Sequence, residues 1–524
     1  MKFVIVGLVL AFAASASAQT DMKAACEQLA FGAPQTVGPP KNFAKTFAEL
    51  PDAPSAITAA VIAPAERDLP EVCQVDGYVP PAVGFQVRMP TKAWNGKFMM
   101  YGCGGPCGQI YREHAEEVLA RGYAVAVTDM GHRGIGTIYT FNNIPGMIDF
   151  GYRATHVTTV AAKAIIEAFY GKAASRNYYQ GCSTGGRQGM VEAQRFPEDF
   201  DGLIAGAPVY FQSGDTPLFL RWSAMVNKGA DGKPILDAKK LPMIHKTVLA
   251  ACDALDGVTD GLLQDPRRCT WDPGAILCKK GAMGDACLTE DEAQVVRKIY
   301  TGAVNSKGKK LYWGMQRGSE YYWTPAFIGA NGQLGTRATA LGSAYSFWYE
   351  PSPTYSEFDY DRDPPRLGML EPFFDARNPD LRALKDHGAK LILYHGWDDN
   401  EIPPEATVDY YETATRTMGG AEKTTDFFRL FMIPGMTHCR RGPGGDAIDW
   451  ITALENWVEK GQAPDKMVVG HLKEQQTYLG LPRLRYPVDP ARIDRTRPIY
   501  PYPALARWTG NGDVNDAATW EQAK

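Results

Sequence analysis

Short apolar runs alternate with helix-compatible segments in the first part of the chain, and this alternation predicts an α/β fold. Residues 84–89, 97–101 and 123–128 are apolar runs of strand length. A glycine-rich turn and a helical stretch that ends at Ala120 separate the last two runs, so together they make a strand–helix–strand unit. Amphipathic periodicity predicts a helix over residues 156–170.

The alternation stops after Pro208 and returns near the end of the chain. Residues 211–382 lack it, are rich in tryptophan and tyrosine, and contain four of the ten cysteines. Apolar runs of strand length return at residues 389–394 and 427–432. Periodicity then predicts a helix over residues 446–459.

This pattern predicts the organisation of the domains. The chain is too long for one ordinary compact domain, because a single hydrophobic core stops growing at a smaller size. The economical arrangement is one α/β domain made of residues 19–210 and 383–524. Residues 211–382 are then an insertion between its two halves, placed as a lid domain.

The first 18 residues have the features of a secretory signal peptide. Lys2 supplies the positive start, residues 3–14 form a short apolar core, and Ala16-Ser17-Ala18 is an A-x-A cleavage site. The apolar run is too short to span a bilayer, and no later run is long enough. We expect a secreted or periplasmic protein with no membrane anchor, whose mature chain starts near Gln19.

Charge restricts the possible partners. The formal net charge is −4, which is close to neutral for this length, and no basic tract stands out. Nucleic acids and anionic membranes bind basic surfaces. We therefore expect neither as a partner, and the sequence leaves the oligomeric state open.

The cysteines suit an exported protein. All ten follow the signal peptide, as expected in an oxidising compartment that permits up to five disulfides. Counting does not fix their connectivity. The shortest pairings, Cys252 with Cys269 and Cys278 with Cys287, are the simplest. The N-terminal segment contributes Cys26 and Cys73 to the expected set of disulfide cysteines.

Residues 177–190 carry the pattern of a catalytic serine. A short apolar run leads into Gly181, Ser183 and Gly185 in a G-x-S-x-G arrangement, and a helix-compatible stretch follows. On a strand-to-helix turn this is a nucleophile elbow, in which small neighbours let the strained serine project its hydroxyl. The first N–H groups of the helix then face any negative charge that develops there. The alternative is an ordinary glycine-rich turn.

A nucleophilic serine needs a histidine base and an acid that fixes the tautomer of that histidine. In α/β hydrolases the acid and then the histidine follow the serine, each after a strand. His438 comes directly after the run 427–432, where the base is expected. The run 389–394 leads to Asp398 and Asp399, and only one of these neighbours can face His438. Spacing alone does not decide between them.

Two cysteines flank the candidate serine and histidine. Cys182 precedes Ser183 and Cys439 follows His438. If the serine and the histidine come within hydrogen-bond reach, their neighbours are close enough for a disulfide. Such a bond would tie the nucleophile's turn to the loop of the base. The alternative is two unrelated cysteines.

At these motifs the sequence resembles the tannase and feruloyl esterase family of serine esterases. The matching stretches are GCSTGGRQGM at 181–190, ACDALDGVTDGLLQDPRRC at 251–269, FDYDRD at 358–363, HGWDDNEIPP at 395–404 and PGMTHC at 434–439. The resemblance covers nearly all of the mature chain and implies an α/β-hydrolase fold with a large inserted lid domain.

The resemblance also implies roles for individual residues. Ser183, Asp399 and His438 would form the triad, because the family's acid stands four residues after the histidine of its His-Gly pair. In the family, the cysteines that flank the serine and the histidine are disulfide-bonded. Asp398 and Asn400 depart from the family, in which a small residue and proline are common at these places.

The oxyanion hole needs two N–H groups directed at the developing alkoxide. One is expected from Thr184, the residue after the nucleophile, and the other from the glycine-rich loop at residues 102–105. Within that loop we favour Gly105. Cys103 and Cys107 depart from the family's glycine run and are candidates for a short-range disulfide beside the site.

An acidic loop in the insertion is a candidate metal site. Asp253, Asp256 and Asp260 lie between Cys252 and Cys269, with spacing unlike that of an EF-hand. Oxygen ligands without histidine favour calcium over zinc. The family has a calcium site with this motif, so the resemblance implies a structural Ca²⁺ held by these residues and by the carbonyls of Val258 and Leu262. The alternative is an acidic surface turn.

The resemblance implies a substrate class. It comprises aromatic carboxylic esters, such as feruloyl, caffeoyl or galloyl esters, and it also includes the monoester of terephthalate with ethylene glycol. Aromatic clusters at residues 311–313, 321–323 and 345–349 are more typical of core than of binding surface, although such side chains would suit a flat acyl group. The rival hypotheses are a secreted serine peptidase and a non-catalytic binding protein on the same scaffold.

Overall fold

The computed structural model describes most of the chain beyond its N-terminus. The described residues are 22–31, 46–134, 138–279, 284–323, 328–335, 358–474 and 484–523. The predicted signal peptide and the aromatic cluster at residues 345–349 lie outside the described residues. In the ranges that are described, no helix is both long enough and apolar enough to cross a membrane.

The centre of the protein is a mixed β-sheet. Its strands are β1 (Ala56–Ala63), β2 (Val72–Val79), β3 (Val83–Pro90), β4 (Lys97–Tyr101), β5 (Ala124–Thr128), β6 (Arg176–Cys182), β7 (Gly202–Gly206), β8 (Lys390–Gly396) and β9 (Phe428–Ile433). Among the described residues these nine strands follow the order β1-β2-β3-β5-β4-β6-β7-β8-β9. The pairs from β1 to β3 and the pair β3–β5 are antiparallel, and the remaining pairs are parallel. The predicted α/β fold is confirmed, in its α/β-hydrolase form.

Helices cover both faces of the sheet. The longer ones are α1 (Ala154–Tyr170), α2 (Thr184–Arg195), α3 (Leu241–Cys252), α4 (Glu290–Thr301), α5 (Pro404–Thr417) and α6 (Trp450–Lys460). Shorter helical segments are 22–28, Glu116–Ala120, Ile144–Ile148, Gln212–Gly214, Arg221–Met225, Glu371–Phe374, Arg382–His387 and Ala421–Thr424.

Side chains alternate between the two faces along each parallel strand. In β6, Tyr179 packs into the core under α1, α2 and α5, whereas Tyr178 packs into the core under α6. In β7, Leu203 and Ile204 divide in the same way, and every residue of that strand is buried. Helices on both faces therefore explain why the central strands are apolar throughout.

The insertion between β7 and β8 has a hydrophobic core of its own. It contains α3 and α4, and its buried side chains run from Leu218 to Leu367, including Val248 and Trp323. From Leu370 onward the buried side chains join the core under α1, α2 and α5. The bounds of 211–382 for a separate lid domain remain a prediction.

One predicted helix starts later than the periodicity indicated. The pattern predicted residues 446–459, but α6 begins at Trp450 because the Asp449 side chain accepts a hydrogen bond from the N–H of Thr452 and caps the helix there. Ala447 instead forms a bridge with Gly470 in the strand Met467–Leu472. That strand, β10, pairs with β11 (Ile493–Ile499), and β12 (Ala506–Trp508) pairs with β13 (Trp520–Gln522).

All ten cysteines form disulfides. The pairs are Cys26–Cys73, Cys103–Cys107, Cys182–Cys439, Cys252–Cys269 and Cys278–Cys287. Two of the bonds, Cys252–Cys269 and Cys278–Cys287, lie within the insertion, and the other three lie outside it.

Candidate active site

Ser183 lies at the junction of β6 and α2. Its backbone has φ 63° and ψ −122°, a conformation that residues other than glycine rarely adopt. Two backbone hydrogen bonds fix it there: its N–H donates to the carbonyl of Gly206 at 2.9 Å, and its carbonyl accepts from the N–H of Arg187 at 2.9 Å. The strand, the strained residue and the helix form the nucleophile elbow geometry that the G-x-S-x-G pattern predicted.

Two glycines at the turn, Gly181 and Gly186, are required by close packing of backbone on backbone. A Cβ at Gly181 would lie 2.6 Å from the carbonyl oxygen of Gly185. A Cβ at Gly186 would lie 2.1 Å from the carbonyl oxygen of Gly206, which belongs to the neighbouring strand. Because backbone atoms cannot move aside easily, only glycine permits this tight turn above the sheet.

Asp399, and not Asp398, contacts the candidate base. His438 Nδ1 lies 2.8 Å from Asp399 Oδ2. The other oxygen of Asp399 accepts backbone N–H groups from Glu401 at 2.7 Å and Ile402 at 2.9 Å. A second histidine, described next, also contacts this carboxylate. Four hydrogen-bonding groups are thus directed at one fully buried side chain.

The second histidine on Asp399 is His395, the first residue of the matching stretch 395–404. Its Nε2 lies 3.0 Å from Asp399 Oδ2, and its Nδ1 lies 2.7 Å from the hydroxyl oxygen of Thr407. If the hydroxyl of Thr407 donates to Nδ1, then Nε2 carries the proton and donates to Asp399. The only signal in the sequence was the spacing of four residues between His395 and Asp399.

The two neighbouring aspartates have opposite electrostatic environments. Burial would raise the pKa of Asp399, but the charge and hydrogen bond of His438 together with those of His395 outweigh it and hold that pKa well below its usual range. Burial raises the pKa of Asp398 well above its usual range, and the charge of Glu320 adds to the effect. Asp399 is therefore the partner that stays ionised beside an imidazole.

The Cys182–Cys439 disulfide joins the elbow to the loop of His438. The two Cα atoms lie 5.9 Å apart although the cysteines are separated by 257 residues in the chain. Because Ser183 and His438 are the adjacent residues, the bond fixes the approach of the two segments that carry them. Cys439 has a positive φ of 63°, so its backbone is strained as well.

A further carboxylate lies near the second ring nitrogen of His438. Glu401 Oε2 is 3.8 Å from His438 Nε2, and both side chains are mostly buried. The Asp399 loop therefore directs carboxylates toward both ring nitrogens of His438. This contact was not predicted from the sequence.

The glycine-rich loop after β4 packs directly against the elbow. The Thr184 hydroxyl donates to the carbonyl of Gly105 at 2.8 Å. The Cys103–Cys107 disulfide closes the loop, and the side-chain amide of Gln188 donates to Cys103 Sγ at 3.2 Å. Thr184 begins α2, so its N–H is among those that have no acceptor within the helix. The loop therefore lies where the second oxyanion donor was predicted.

The insertion contacts the acid loop through its aromatic segment. The Asn400 side-chain amide donates to the carbonyl of Tyr322 at 2.9 Å. Tyr312 and Trp323 are buried in the core of the insertion, whereas Tyr321 is 54% exposed. Two of the three predicted aromatic clusters therefore contribute mainly to packing.

The acidic loop of the insertion presents hard oxygen ligands. Asp253 accepts the N–H groups of Asp260 and Gly261 at 3.0–3.3 Å, and Asp256 accepts that of Val258 at 3.0 Å. Arg497 donates to Asp260 Oδ2 at 2.7 Å. The donor set fits calcium in its chemistry. The three carboxylates do not gather as a set within 4.8 Å of one another, so carbonyl oxygens are needed to complete such a site.

Comparisons with known proteins identify relatives over most of the chain. A family model described as "Tannase and feruloyl esterase" matches residues 70–523. The mono(2-hydroxyethyl) terephthalate hydrolase of Piscinibacter sakaiensis is 33% identical, with 95% of this chain and 91% of that protein covered. A probable feruloyl esterase of Arthroderma benhamiae is 32% identical, with 84% of this chain and 82% of that protein covered. The crystal structure of feruloyl esterase B from Aspergillus oryzae, at 24% identity, has the same fold with a TM-score of 0.80, covering 96% of this chain and 100% of that chain.

Removal of the Cys182–Cys439 disulfide should weaken both the fold and the site. Replacing both cysteines by serine is expected to lower the free energy of unfolding by about 2–4 kcal/mol, because the bond closes a long loop. It should also slow the labelling of Ser183 by a fluorophosphonate probe, because His438 is no longer fixed near the serine. The matched control replaces Cys278 and Cys287, which are nine residues apart. An equal loss of labelling in this control would contradict the assigned role.

The neighbouring aspartates should respond to pH with opposite signs. Asp399 has a lowered folded-state pKa, so its ionised form stabilises the fold above its unfolded pKa of about 3.9, and that contribution is lost at lower pH. Asp399→Asn should therefore destabilise the protein at pH 7, with a deficit that shrinks below about pH 4. Asp398 has a raised pKa, so Asp398→Asn should be at least as stable as the wild type at pH 7. Chemical denaturation across this pH range measures both, and the reverse order would refute the assignment of the acid.

Proposed function

The chain belongs to the tannase and feruloyl esterase family and is a carboxylic ester hydrolase, and we propose that it cleaves esters of aromatic acids through an acyl-enzyme on Ser183. The observation that carries this proposal is the 2.8 Å contact between His438 Nδ1 and the buried Asp399 carboxylate, in a loop that a disulfide ties to the residue before Ser183. In this arrangement Nδ1 of His438 faces Asp399, and Nε2 is the proposed base for the serine hydroxyl.

The proposed reaction has two steps. His438 Nε2 takes the proton of the Ser183 hydroxyl as its oxygen attacks the ester carbonyl, and the same proton then passes to the departing alcohol. Water attacks the acyl-enzyme by the same route, which frees the acid and regenerates the serine. Asp399 keeps the proton of the imidazole on Nδ1 and stabilises the charged ring. His395 and the two backbone N–H groups on Asp399 keep that carboxylate ionised and fixed.

The alkoxide formed in each step needs two donors. Thr184 supplies one N–H at the start of α2, where the helix dipole also favours negative charge. Gly105 is the proposed source of the second. The hydrogen bond from the Thr184 hydroxyl to the Gly105 carbonyl supports this assignment, because it fixes the loop beside the elbow.

The proposed substrates are feruloyl, caffeoyl or galloyl esters. The family relationship supports this class, as does the relative that carries the name of a probable feruloyl esterase. The second candidate is the monoester of terephthalate and ethylene glycol, since the relative with that activity in its name aligns with 95% of the chain. Both substrates place a flat aromatic acyl group on the serine.

We further propose that the protein is exported and that its acidic loop binds a structural Ca²⁺. Five disulfides support export. The ligands would be the carboxylates of Asp253, Asp256 and Asp260 together with the carbonyls of Val258 and Leu262. Such an ion would supply charge compensation to the loop inside the insertion and would take no part in ester cleavage.

Replacing the nucleophile tests the mechanism. Ser183→Ala should fold with an unchanged thermal midpoint and lose hydrolysis of methyl ferulate by about 10⁴-fold or more, because the acyl-enzyme cannot form. The variant should also fail to react with a fluorophosphonate. The matched control is Ser213→Ala, which removes another buried serine hydroxyl, one that donates to Asp375, and should retain hydrolysis. Retained hydrolysis in Ser183→Ala would show that another residue is the nucleophile.

A panel of esters decides the substrate class. Hydrolysis of methyl ferulate, methyl gallate, chlorogenate and mono(2-hydroxyethyl) terephthalate is compared by kcat/KM, with an anilide of ferulic acid as the amide control. We expect the phenolic esters to be preferred and the anilide to be cleaved poorly. Preference for the terephthalate monoester would establish the second candidate instead.

Removal of calcium should destabilise the insertion. Chelation is expected to lower the thermal midpoint, and added Ca²⁺ should restore it, because an ion bound only to the folded state stabilises by mass action. Asp256→Asn should abolish this response. Asp285→Asn, which changes an exposed carboxylate of the same insertion, should retain it. An identical response in both variants would exclude the acidic loop as the site.

A further inference from the structure

A cluster of His156, Glu192 and Asp199 lies outside the candidate active site and has the composition of a metal centre. One ligand atom from each of the three residues lies within 4.8 Å of the other two. His156 is near the start of α1, Glu192 is in the last turn of α2, and Asp199 is in the loop that follows α2. The cluster therefore joins the helix that begins at the nucleophile to a second helix on the same face of the sheet.

Glu192 is a buried carboxyl next to the other two members of the cluster. Its side chain is fully buried, and neither of its oxygens accepts a hydrogen bond from an N–H or hydroxyl group of the described residues. Burial raises the pKa of Glu192 well above its usual range, and the charge of the neighbouring Asp199 carboxyl and a hydrogen bond with it add to the effect. A buried carboxyl of this kind is retained where a cation, or a proton shared with its neighbour, satisfies it.

The other two ligands are already oriented. The imidazole of His156 stacks on the ring of Phe196 at 3.9 Å between centroids, which fixes the plane of the imidazole. Its Nδ1 lies 2.6 Å from Asp199 Oδ2. The His156 side chain is 19% exposed, whereas Asp199 and Glu192 are buried, so the imidazole forms the outer side of the cluster.

We propose that His156, Glu192 and Asp199 form a binding site for one divalent transition-metal ion. Zinc is the ion proposed, because it suits this set of ligands. An imidazole nitrogen with two carboxylates is a ligand set for zinc and not for calcium, which takes oxygen ligands. Ligand atoms about 2.1 Å from one ion lie about 3.4 Å apart in a tetrahedral site, so His156 Nδ1 and Asp199 Oδ2, which are 2.6 Å apart, must separate slightly when the ion binds. The negative end of the α2 dipole also favours a cation at this place.

Binding replaces a proton between two of the ligands. His156 Nδ1 and Asp199 Oδ2 are close enough to share one, and Nδ1 must present a lone pair to bind the ion. In a neutral ring the proton moves to Nε2, and in a charged ring one proton leaves to solvent. Zinc binding is therefore expected to weaken as the pH falls.

Lys163 is the competing cation. Its ammonium lies 3.6 Å from Asp199 Oδ1 and donates to the Asp199 carbonyl at 2.5 Å. It neutralises part of the charge on Asp199. Removing it should strengthen the attraction of the site for a divalent ion. Lys163→Met thus provides a variant with the opposite expected effect to loss of a ligand.

The test uses the full mature protein, freed of metals by chelation and then saturated with Ca²⁺ so that the acidic loop does not take up zinc. With zinc chloride as the probe, elemental analysis after dialysis should find one zinc per chain, and the thermal midpoint should rise. Cobalt(II) should give visible absorption bands from the same site. His156→Ala should weaken zinc binding by at least about a hundredfold, because it removes one of three ligands.

Two further variants complete the test. His471→Ala is the control, since His471 forms a comparable pair with Asp494 at 2.7 Å in β10 and β11, and it should bind zinc as the wild type does. Lys163→Met should bind zinc more tightly. The proposal is overturned if no stoichiometric zinc remains after dialysis, or if His156→Ala binds as tightly as the wild type. A Glu192→Gln variant that is more stable than metal-free wild type, in a protein that binds no zinc, would assign a shared proton to the cluster instead.

Discussion

One buried carboxylate organises the candidate site. Asp399 has no exposed surface, and a charge in such a place persists only when hydrogen bonds replace the water that it has lost. Two backbone N–H groups and two imidazoles fulfil that requirement. Because each donor is placed by a different part of the chain, the carboxylate connects the end of β8, the start of α5 and the loop of His438. The contact that orients His438 is therefore also one of those that stabilise the charge of Asp399.

The sheet explains why these groups meet. β6, β7, β8 and β9 are adjacent and parallel, so the loops that follow them emerge at one edge. Ser183 follows β6, Asp399 follows β8, and His438 follows β9. The insertion leaves the chain after β7, at the same edge, and its Tyr322 carbonyl contacts the acid loop. The parallel order thus places the candidate catalytic groups and the start of the insertion at one edge of the sheet, where ligands bind in open α/β sheets.

The sequence predicted features that depend on a few neighbouring residues better than contacts that depend on the path of a loop. The elbow at Ser183 could be predicted because its glycines are required within a few residues of one another. The choice between Asp398 and Asp399 needed a family resemblance, because neighbouring loop residues point in directions that spacing does not reveal. The contact of His395 with Asp399 was not predicted, since it depends on the path of the loop after β8. The start of α6 was placed too early because periodicity does not include the cap at Asp449.

The connectivity of the disulfides has a consequence for biosynthesis. Four of the five bonds join cysteines that are consecutive in the chain, whereas the Cys182–Cys439 bond encloses both bonds of the insertion. As the chain enters an oxidising compartment, Cys182 arrives long before Cys439, and Cys252 is the next thiol that it meets. Oxidation in order of arrival would therefore join the elbow to the insertion. Correct maturation requires Cys182 to stay reduced until Cys439 arrives, or a wrong disulfide to be exchanged for the right one. A host that supplies a disulfide isomerase therefore suits this protein better than one that supplies only an oxidant.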